Sequence, residues 1–375
     1  MASPLLDTLR FGRGWLRPRP GVRTREIRVQ PDDDTPPVPA TLMEADDTLP
    51  APAWVVLHGL TRPGRHHASL IRFGHALAST GGRVLIPEIP EWVALDFAPE
   101  RAQAVIRGAV ERMFTDRNTQ AGGVTLVGFS FGAPQALLAA SDPGFSQRLR
   151  AVVGWGGYAD LARAFSFQLT GEHEWDGESY HQTPDPYGRW IVGANCLPLV
   201  PGFGEAEPVA DALRALAAEA GDRQVDARDP TLDGLKTHLK VGLPHRTRAL
   251  FDLFAPPTHR EPDPDESRRL VELIAPAARR EMPLVDPLRM IEAIRVPVRL
   301  LHSRSDHLIP FTETLRTAHI LRRRAPSLEA SVTGFFQHSG QPERGSLLAR
   351  GRALMGFAGA LRGIFEATRD GPSGS

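Results

Sequence analysis

Ser130 is the residue of this 375-residue chain whose surroundings most clearly suggest chemistry, because it lies at the centre of the pentapeptide Gly-Phe-Ser-Phe-Gly. An apolar run over 124–127 precedes the pentapeptide and an alanine-rich run over 133–140 follows it, which predicts a strand, a sharp turn and a helix. Glycines relieve the crowding of so tight a turn, and the serine at its apex is held in a strained backbone conformation that exposes its hydroxyl. A serine so placed is a nucleophile for acyl chemistry.

Two backbone N–H groups are predicted to hold the oxyanion that such an attack creates. The first belongs to Phe131, at the start of the predicted helix. The second follows a buried strand at 54–57, where the sequence reads His58-Gly59-Leu60. We expect Leu60 to be the second donor, with Thr61 as the alternative. The residues predicted to contact the substrate are His58, Gly59, Thr61 and Phe129.

A base and an acid follow later in the sequence. The apolar strand predicted at 296–301 leads to Asp306, and the strand predicted at 328–334 opens into a loop that contains His338. We expect His338 to take the proton of Ser130, and Asp306 to orient the imidazole and stabilise its charged form.

Two alternatives compete for these roles. His307 is adjacent to Asp306, but neighbouring residues on one turn rarely point at each other as a base and its orienter must. Asp160 follows an earlier strand and is the alternative acid. The sequence favours His338 and Asp306.

The order Ser, Asp, His, with a His-Gly turn upstream of the serine, resembles the α/β-hydrolase superfamily. The resemblance covers most of residues 25–160 and 294–368. It implies a mostly parallel central sheet flanked by helices, and a serine hydrolase of the capped, esterase or lipase-like kind. Because this superfamily supports many reactions, the resemblance does not identify the substrate.

The chain organisation predicts a discontinuous core and an insertion. Residues 1–160 and 294–375 carry the strand and helix alternation of the core, although the arginine- and proline-rich residues 1–24 are predicted to be irregular or peripheral, and 370–375 disordered. Residues 161–293 show amphipathic helical patterns between proline-rich joints and are predicted to form a large helical cap over the site, the alternative being a helical insertion that serves stability or dimerisation.

Composition excludes several classes. The formal net charge is zero, which predicts no nucleic-acid partner, and no stretch reaches the ~20 apolar residues of a membrane span. Cys196 is the single cysteine, so no intrachain disulfide forms and a cytoplasmic location is expected. His58, His66 and His67 match no zinc spacing, so we predict no metal and no cofactor.

The function predicted from these residues is hydrolysis of a carboxylic ester or related acyl bond through an acyl-enzyme, with a small-molecule ester or acyl compound as substrate. Acyl transfer to another acceptor and peptide hydrolysis would use the same triad. A non-catalytic ligand-binding protein is the alternative from another class. The oligomeric state is open, and a homodimer is compatible with the sequence.

Overall fold

The computed structural model describes residues 3–17, 21–45, 50–203, 205–334 and 347–369. The strands are β1 Val22–Val29, β2 Val38–Ala45, β3 Ala51–Leu57, β4 Arg83–Pro87, β5 Thr119–Phe129, β6 Leu149–Trp155, β7 Glu172–Trp175, β8 Glu178–His181, β9 Val298–Ser303 and β10 Leu328–Thr333. The helices are α1 Pro4–Leu16, α2 Ala68–Ala78, α3 Pro90–Val93, α4 Pro99–Phe114, α5 Gly132–Ser141, α6 Pro143–Ser146, α7 Leu161–Thr170, α8 Pro186–Cys196, α9 Glu207–Arg223, α10 Asp233–Gly242, α11 Arg248–Phe254, α12 Pro264–Glu281, α13 Thr312–Leu321 and α14 Leu347–Ala367.

Eight strands form one sheet in the order β1-β2-β4-β3-β5-β6-β9-β10. Within this sheet the strands β4, β3, β5, β6, β9 and β10 pair in parallel, and β2 runs antiparallel to both of its neighbours. The predicted mostly parallel sheet flanked by helices is therefore confirmed. Because parallel strands end at the same edge, the carboxyl ends of β3, β5, β9 and β10 all lie on one side of the sheet.

Both faces of the sheet are buried. In β3, Trp54 and Val56 face a cluster built with α1, α2 and α14, whereas Val55 and Leu57 face a cluster built with α4, α5 and the segment between β6 and β9. All four side chains are at most 2% exposed. This burial on both faces explains why the strand reads as a continuous apolar run rather than as an alternating one.

Of the two alternatives predicted for residues 1–24, irregular structure is wrong, because α1 occupies Pro4–Leu16. The Ser3 side chain caps the helix by accepting the N–H of Leu6, and a proline is tolerated at the first helical position. Phe11 is 1% exposed, and its ring packs 5.5 Å from that of Phe73. Pro18 and Pro20 come after its last residue in the sequence, so neither interrupts the helix.

The segment between β6 and β9 contains α7 to α12 and also the antiparallel hairpin β7–β8, which the helical prediction missed. Asp176 and Gly177 form its turn with φ values of +52° and +82°. Asp-Gly is the sequence signature of such a two-residue hairpin turn. The turn was therefore visible in the sequence, but the two strands beside it have only four residues each.

The helix α14 is the longest of the described helices, with 21 residues. Neither it nor any other helix in the described ranges is long and apolar enough to cross a membrane. The predicted disorder of residues 370–375 concerns a segment outside the described residues.

Candidate active site

Ser130 lies at the carboxyl end of the central strand β5, where the chain turns sharply into α5. Its φ is +52°, a left-handed conformation that costs an L-residue about 1–2 kcal/mol. The surrounding structure holds it there, because its N–H donates to the carbonyl of Trp155 at 2.8 Å and its carbonyl accepts the N–H of Ala133 at 2.9 Å. The strained turn expected from the sequence is therefore present at this serine.

Three glycines make this turn sterically feasible. A Cβ on Gly128 would lie 2.1 Å from the carbonyl oxygen of Gly132, and a Cβ on Gly132 would lie 2.7 Å from that of His58. A Cβ on Gly59 would lie 3.2 Å from the Cβ of Ser130. The two turns at the ends of β3 and β5 therefore approach each other at backbone distance, which only glycine allows.

Aromatic rings hold both neighbours of the serine. The ring centroid of Phe129 lies 4.9 Å from that of Phe73 and 5.2 Å from that of Trp155. On the other side, Phe131 stacks on Phe97 at 4.9 Å and meets Trp92 edge-on at 5.4 Å. Each such pair contributes about 0.5–1.5 kcal/mol beyond its buried area, so the turn is rigid on both sides.

The predicted oxyanion donors, the backbone N–H groups of Leu60 and Phe131, belong to residues that line the same cavity as Ser130. Among the described residues, no acceptor takes the N–H of Leu60, Thr61 or Phe131. Phe131 is the N-cap residue of α5, so the positive end of the helix dipole adds to its N–H. Leu60 and Thr61 follow the end of β3, the neighbour of β5 in the sheet.

His58 fixes the peptide that carries the Leu60 N–H. Its Nδ1 lies 2.7 Å from the carbonyl oxygen of Gly59, and its Nε2 accepts the N–H of Ile89 at 3.1 Å. This pattern requires a neutral ring that is protonated on Nδ1. Burial lowers the pKa of His58 to about 4, so the ring keeps this tautomer at neutral pH.

Asp306 is held rigidly at the end of β9 and is 1% exposed. Its Oδ1 accepts the N–H groups of Leu308 at 2.8 Å and Ile309 at 3.1 Å. Its Oδ2 lies 3.4 Å from Nε2 of His302, a buried ring that also contacts the carbonyl of Ile309 at 2.9 Å. The turn that contains Asp306 and the strand that precedes it therefore both constrain the carboxylate.

The two alternatives from the sequence are engaged elsewhere. Asp160 caps α7 by accepting the N–H of Ala162 at 2.9 Å, and it pairs with Arg279 at 2.9 Å. His307 places Nδ1 2.7 Å from the carbonyl oxygen of Thr183. Both residues therefore have structural partners that account for their conformations.

One cavity of about 670 Å³ brings the predicted residues together. The eight predicted site residues that lie in the described ranges all line it. They are His58, Gly59, Leu60, Thr61, Phe129, Ser130, Phe131 and Asp306. His338, the predicted base, lies outside the described residues. Its segment follows β10, the parallel neighbour of β9.

Sequence reasoning missed the residues that other parts of the chain contribute to this cavity. Trp15 comes from α1, which was predicted to be irregular, and Tyr187 comes from α8. Asp185 caps α8 and Pro186 is its first residue. This Asp-Pro pair is a helix-start signal that could have located α8, but nothing in the sequence shows that Tyr187 faces the site.

Comparison with known proteins yields structural neighbours. The sequence matches no protein-family model and no curated protein. Brefeldin A esterase, a bacterial homologue of human hormone-sensitive lipase, superposes with a TM-score of 0.51 at 16% identity over 98% of this chain and 87% of its own. Esterase Est22 superposes with a TM-score of 0.51 at 13% identity, over 97% of this chain and 88% of its own.

A third neighbour is much longer than this chain. The Pyrococcus horikoshii acylaminoacyl peptidase gives a TM-score of 0.50 at 12% identity and covers 96% of this chain. This chain spans only 43% of that peptidase. At these identities the likenesses concern the fold alone.

Proposed function

Because the chain has the α/β-hydrolase fold, as its sequence predicted, we propose that it is a serine hydrolase that cleaves a carboxylic ester or related acyl bond. Ser130 is the nucleophile, His338 the general base and Asp306 the residue that orients it. Leu60 and Phe131 supply the oxyanion donors. Residues 161–293 act as the cap that closes the site.

One observation supports this proposal most strongly. A serine held at φ +52° shares a cavity with two backbone N–H groups that have no acceptor among the described residues, and with a buried, rigid carboxylate. Strain of about 1–3 kcal/mol at a non-glycine residue persists only where the surroundings impose it, and it concentrates at functional sites.

The first half of the proposed reaction makes an acyl-enzyme. The imidazole of His338 takes the proton of the Ser130 hydroxyl as its oxygen attacks the acyl carbon, and the electrons of the carbonyl bond move onto its oxygen. The N–H groups of Leu60 and Phe131 stabilise this oxyanion. As the tetrahedral species collapses, the bond to the alcohol breaks and the imidazolium returns its proton to the leaving oxygen.

The second half repeats these steps with water. The imidazole removes a proton from water, the resulting hydroxide adds to the acyl carbon, and collapse releases the carboxylic acid and restores the Ser130 hydroxyl. Asp306 stays ionised throughout and stabilises the imidazolium. Loss of one oxyanion donor would raise the barrier by about 2.7–4 kcal/mol.

The cavity walls favour a substrate with an apolar acyl or alcohol group. Aromatic and aliphatic side chains from the core and from residues 161–293, here called the cap segment, line the same cavity as Ser130, among them Phe129, Phe165 and Ile191. A volume of about 670 Å³ lies within the range of about 300–1,000 Å³ that small-molecule sites occupy. A compound of drug-like size therefore fits, whereas a folded protein does not.

Labelling with a fluorophosphonate tests the nucleophile. We expect the wild-type protein to be labelled and Ser130→Ala to be inert, because the probe phosphonylates an activated serine. Ser141→Ala is the matched control. Ser141 is the last residue of α5, the helix that follows Ser130, and its hydroxyl donates to the carbonyl of Leu138 at 2.7 Å, away from the cavity. Equal labelling of Ser130→Ala and wild type would refute the proposal.

An activity panel separates hydrolysis from its alternatives. p-Nitrophenyl esters of graded acyl length, acyl-amino-acid p-nitroanilides and competing alcohol or amine acceptors are compared on one preparation. We expect ester hydrolysis to dominate. Products captured mainly by an added acceptor would indicate an acyltransferase, faster anilide cleavage a peptidase, and binding without turnover a ligand-binding protein.

A further inference from the structure

We propose that Tyr187, on the first turn of α8, is a positioning residue that sets the oxyanion turn from the cap segment. The inference rests on the proposed function. The phenol of Tyr187 donates to the carbonyl oxygen of Leu60 at 3.0 Å, across 127 residues of sequence. Burial raises the pKa of this phenol, so it stays protonated and acts as a donor at every pH at which the protein would be assayed.

Peptide planarity converts this contact into control of a donor. The C=O and N–H of one trans peptide point in opposite directions, so fixing the carbonyl oxygen also fixes the direction of the N–H. His58 holds the carbonyl of Gly59 and thereby aims the N–H of Leu60. Tyr187 holds the carbonyl of Leu60 and thereby fixes the next peptide, which carries the N–H of the alternative donor Thr61 and anchors Leu60 from its other side. The two peptides on either side of Leu60 are thus both fixed.

A second contact joins the same turn to the cap segment. Arg62, two residues after Leu60, donates from Nε to Asp222 on α9 at 2.8 Å, and from a terminal nitrogen to the carbonyl of Val93 at 3.0 Å. The hydrogen bond with Asp222 raises the pKa of Arg62. Because this ion pair is partly exposed, we expect it to contribute less than the Tyr187 contact.

The same stretch of chain reaches the acid turn. The N–H of Asp185 donates to the carbonyl of His307 at 2.7 Å, and the Asp185 carboxylate accepts the N–H of Tyr187 at 3.0 Å. Residues 183–187 therefore connect the turn that carries Asp306 with the turn that carries Leu60. In this arrangement the cap segment does more than cover the cavity, because its placement determines the geometry of two parts of the site.

The substitution Tyr187→Phe tests the inference, since it removes one oxygen and keeps the ring that lines the cavity. We expect kcat to fall about three- to tenfold, the range that corresponds to one lost hydrogen bond. KM should stay within about twofold, because the oxyanion exists only after attack. Affinity for a trifluoromethyl ketone, which Ser130 converts to a hemiketal oxyanion, should fall by the same factor as kcat.

Tyr158→Phe is the matched control for general loosening of the cavity. The phenol of Tyr158 also lines the cavity and donates to a backbone carbonyl, that of Val285 at 2.6 Å, which is not part of the oxyanion turn. For each variant, the loss of ketone affinity is compared with the change in substrate KM. We expect the loss of ketone affinity beyond the change in KM to be clearly smaller for Tyr158→Phe than for Tyr187→Phe. Asp222→Asn, which weakens the second contact, should shift kcat in the same direction as Tyr187→Phe by a smaller factor.

The outcomes separate this inference from the proposed function. Unchanged kcat and ketone affinity in a folded Tyr187→Phe protein that still reacts with the fluorophosphonate would overturn the inference and leave the hydrolase intact. Equal losses in Tyr187→Phe and Tyr158→Phe would also overturn it. A wild-type protein that neither labels nor hydrolyses any ester would overturn both.

Discussion

Replacing Ser130 by glycine and by alanine should change stability differently, although both variants lose the hydroxyl. Alanine keeps a Cβ at φ +52°, and this costs about 1–2 kcal/mol for an L-residue. Glycine adopts that conformation without strain, but its extra freedom in the unfolded chain costs about 0.4–1 kcal/mol. With the midpoints of these two ranges, Ser130→Gly is more stable than Ser130→Ala by about 0.8 kcal/mol.

Replacing alanine by glycine in the helix that follows the turn should lower stability instead of raising it. Ala136 lies in α5, six residues from the serine, and is 0% exposed. Ala136→Gly should lose at least about 1 kcal/mol, because glycine is unfavourable inside a helix. This variant therefore controls for any general effect of introducing glycine.

Calorimetry under one set of conditions measures these differences. For a chain of this length, 1 kcal/mol corresponds to about 1 °C in Tm, so replicate scans at one rate are needed. We expect Ser130→Gly to melt above Ser130→Ala and Ala136→Gly to melt below wild type. If Ser130→Gly melts at or below Ser130→Ala, the backbone strain at this position does not exist.

Three further predictions concern the acid, the oxyanion turn and the first helix. Asp306→Asn should lower kcat by about three to four orders of magnitude with its fold retained, whereas Asp160→Asn should mainly lower Tm, and steady-state kinetics with thermal melts distinguish the two. The pKa of His58 is about 4 in the folded protein and about 6.5 in the unfolded chain, so the unfolded state binds more protons between these two pH values. As the pH falls from 7 to 4, the free energy of unfolding of the wild type should therefore drop by about 3 kcal/mol relative to that of His58→Asn. Urea denaturation curves that keep a constant difference between the two proteins would exclude this. Phe11→Ala should lower the free energy of unfolding by about 3–5 kcal/mol, whereas Leu9→Ala, whose side chain is 62% exposed on the same helix, should change it by less than about 0.5 kcal/mol. Equal shifts in denaturation midpoint would mean that α1 does not pack as described.

The core was predictable because its signals are local. Each buried strand is a short apolar run, and the glycines beside Ser130 are required by contacts within two adjacent turns. The chain order of Ser130 and Asp306 then places both at one edge of a parallel sheet. The cytoplasmic location depends on no such local signal and stays a prediction, and the oligomeric state stays open.

The cap segment and α1 were less predictable because their positions depend on tertiary packing. Nothing near Tyr187 in the sequence indicates a partner 127 residues away. The arginines and prolines of 1–24 suggested irregular chain, yet a serine cap and the burial of Phe11 and its neighbours are sufficient to form a helix. Hydrophobic periodicity finds a helix but does not say which surface it covers.

Trapping the acyl-enzyme tests the central claim most directly. The protein is mixed with a p-nitrophenyl ester and quenched in acid within one turnover. It is then digested, and the mass of the peptide that contains Ser130 is measured by mass spectrometry. We predict that this peptide gains the mass of the acyl group minus one hydrogen, and that His338→Ala shows no gain on the same timescale. Full turnover of the ester with an unmodified Ser130 peptide throughout would contradict the account.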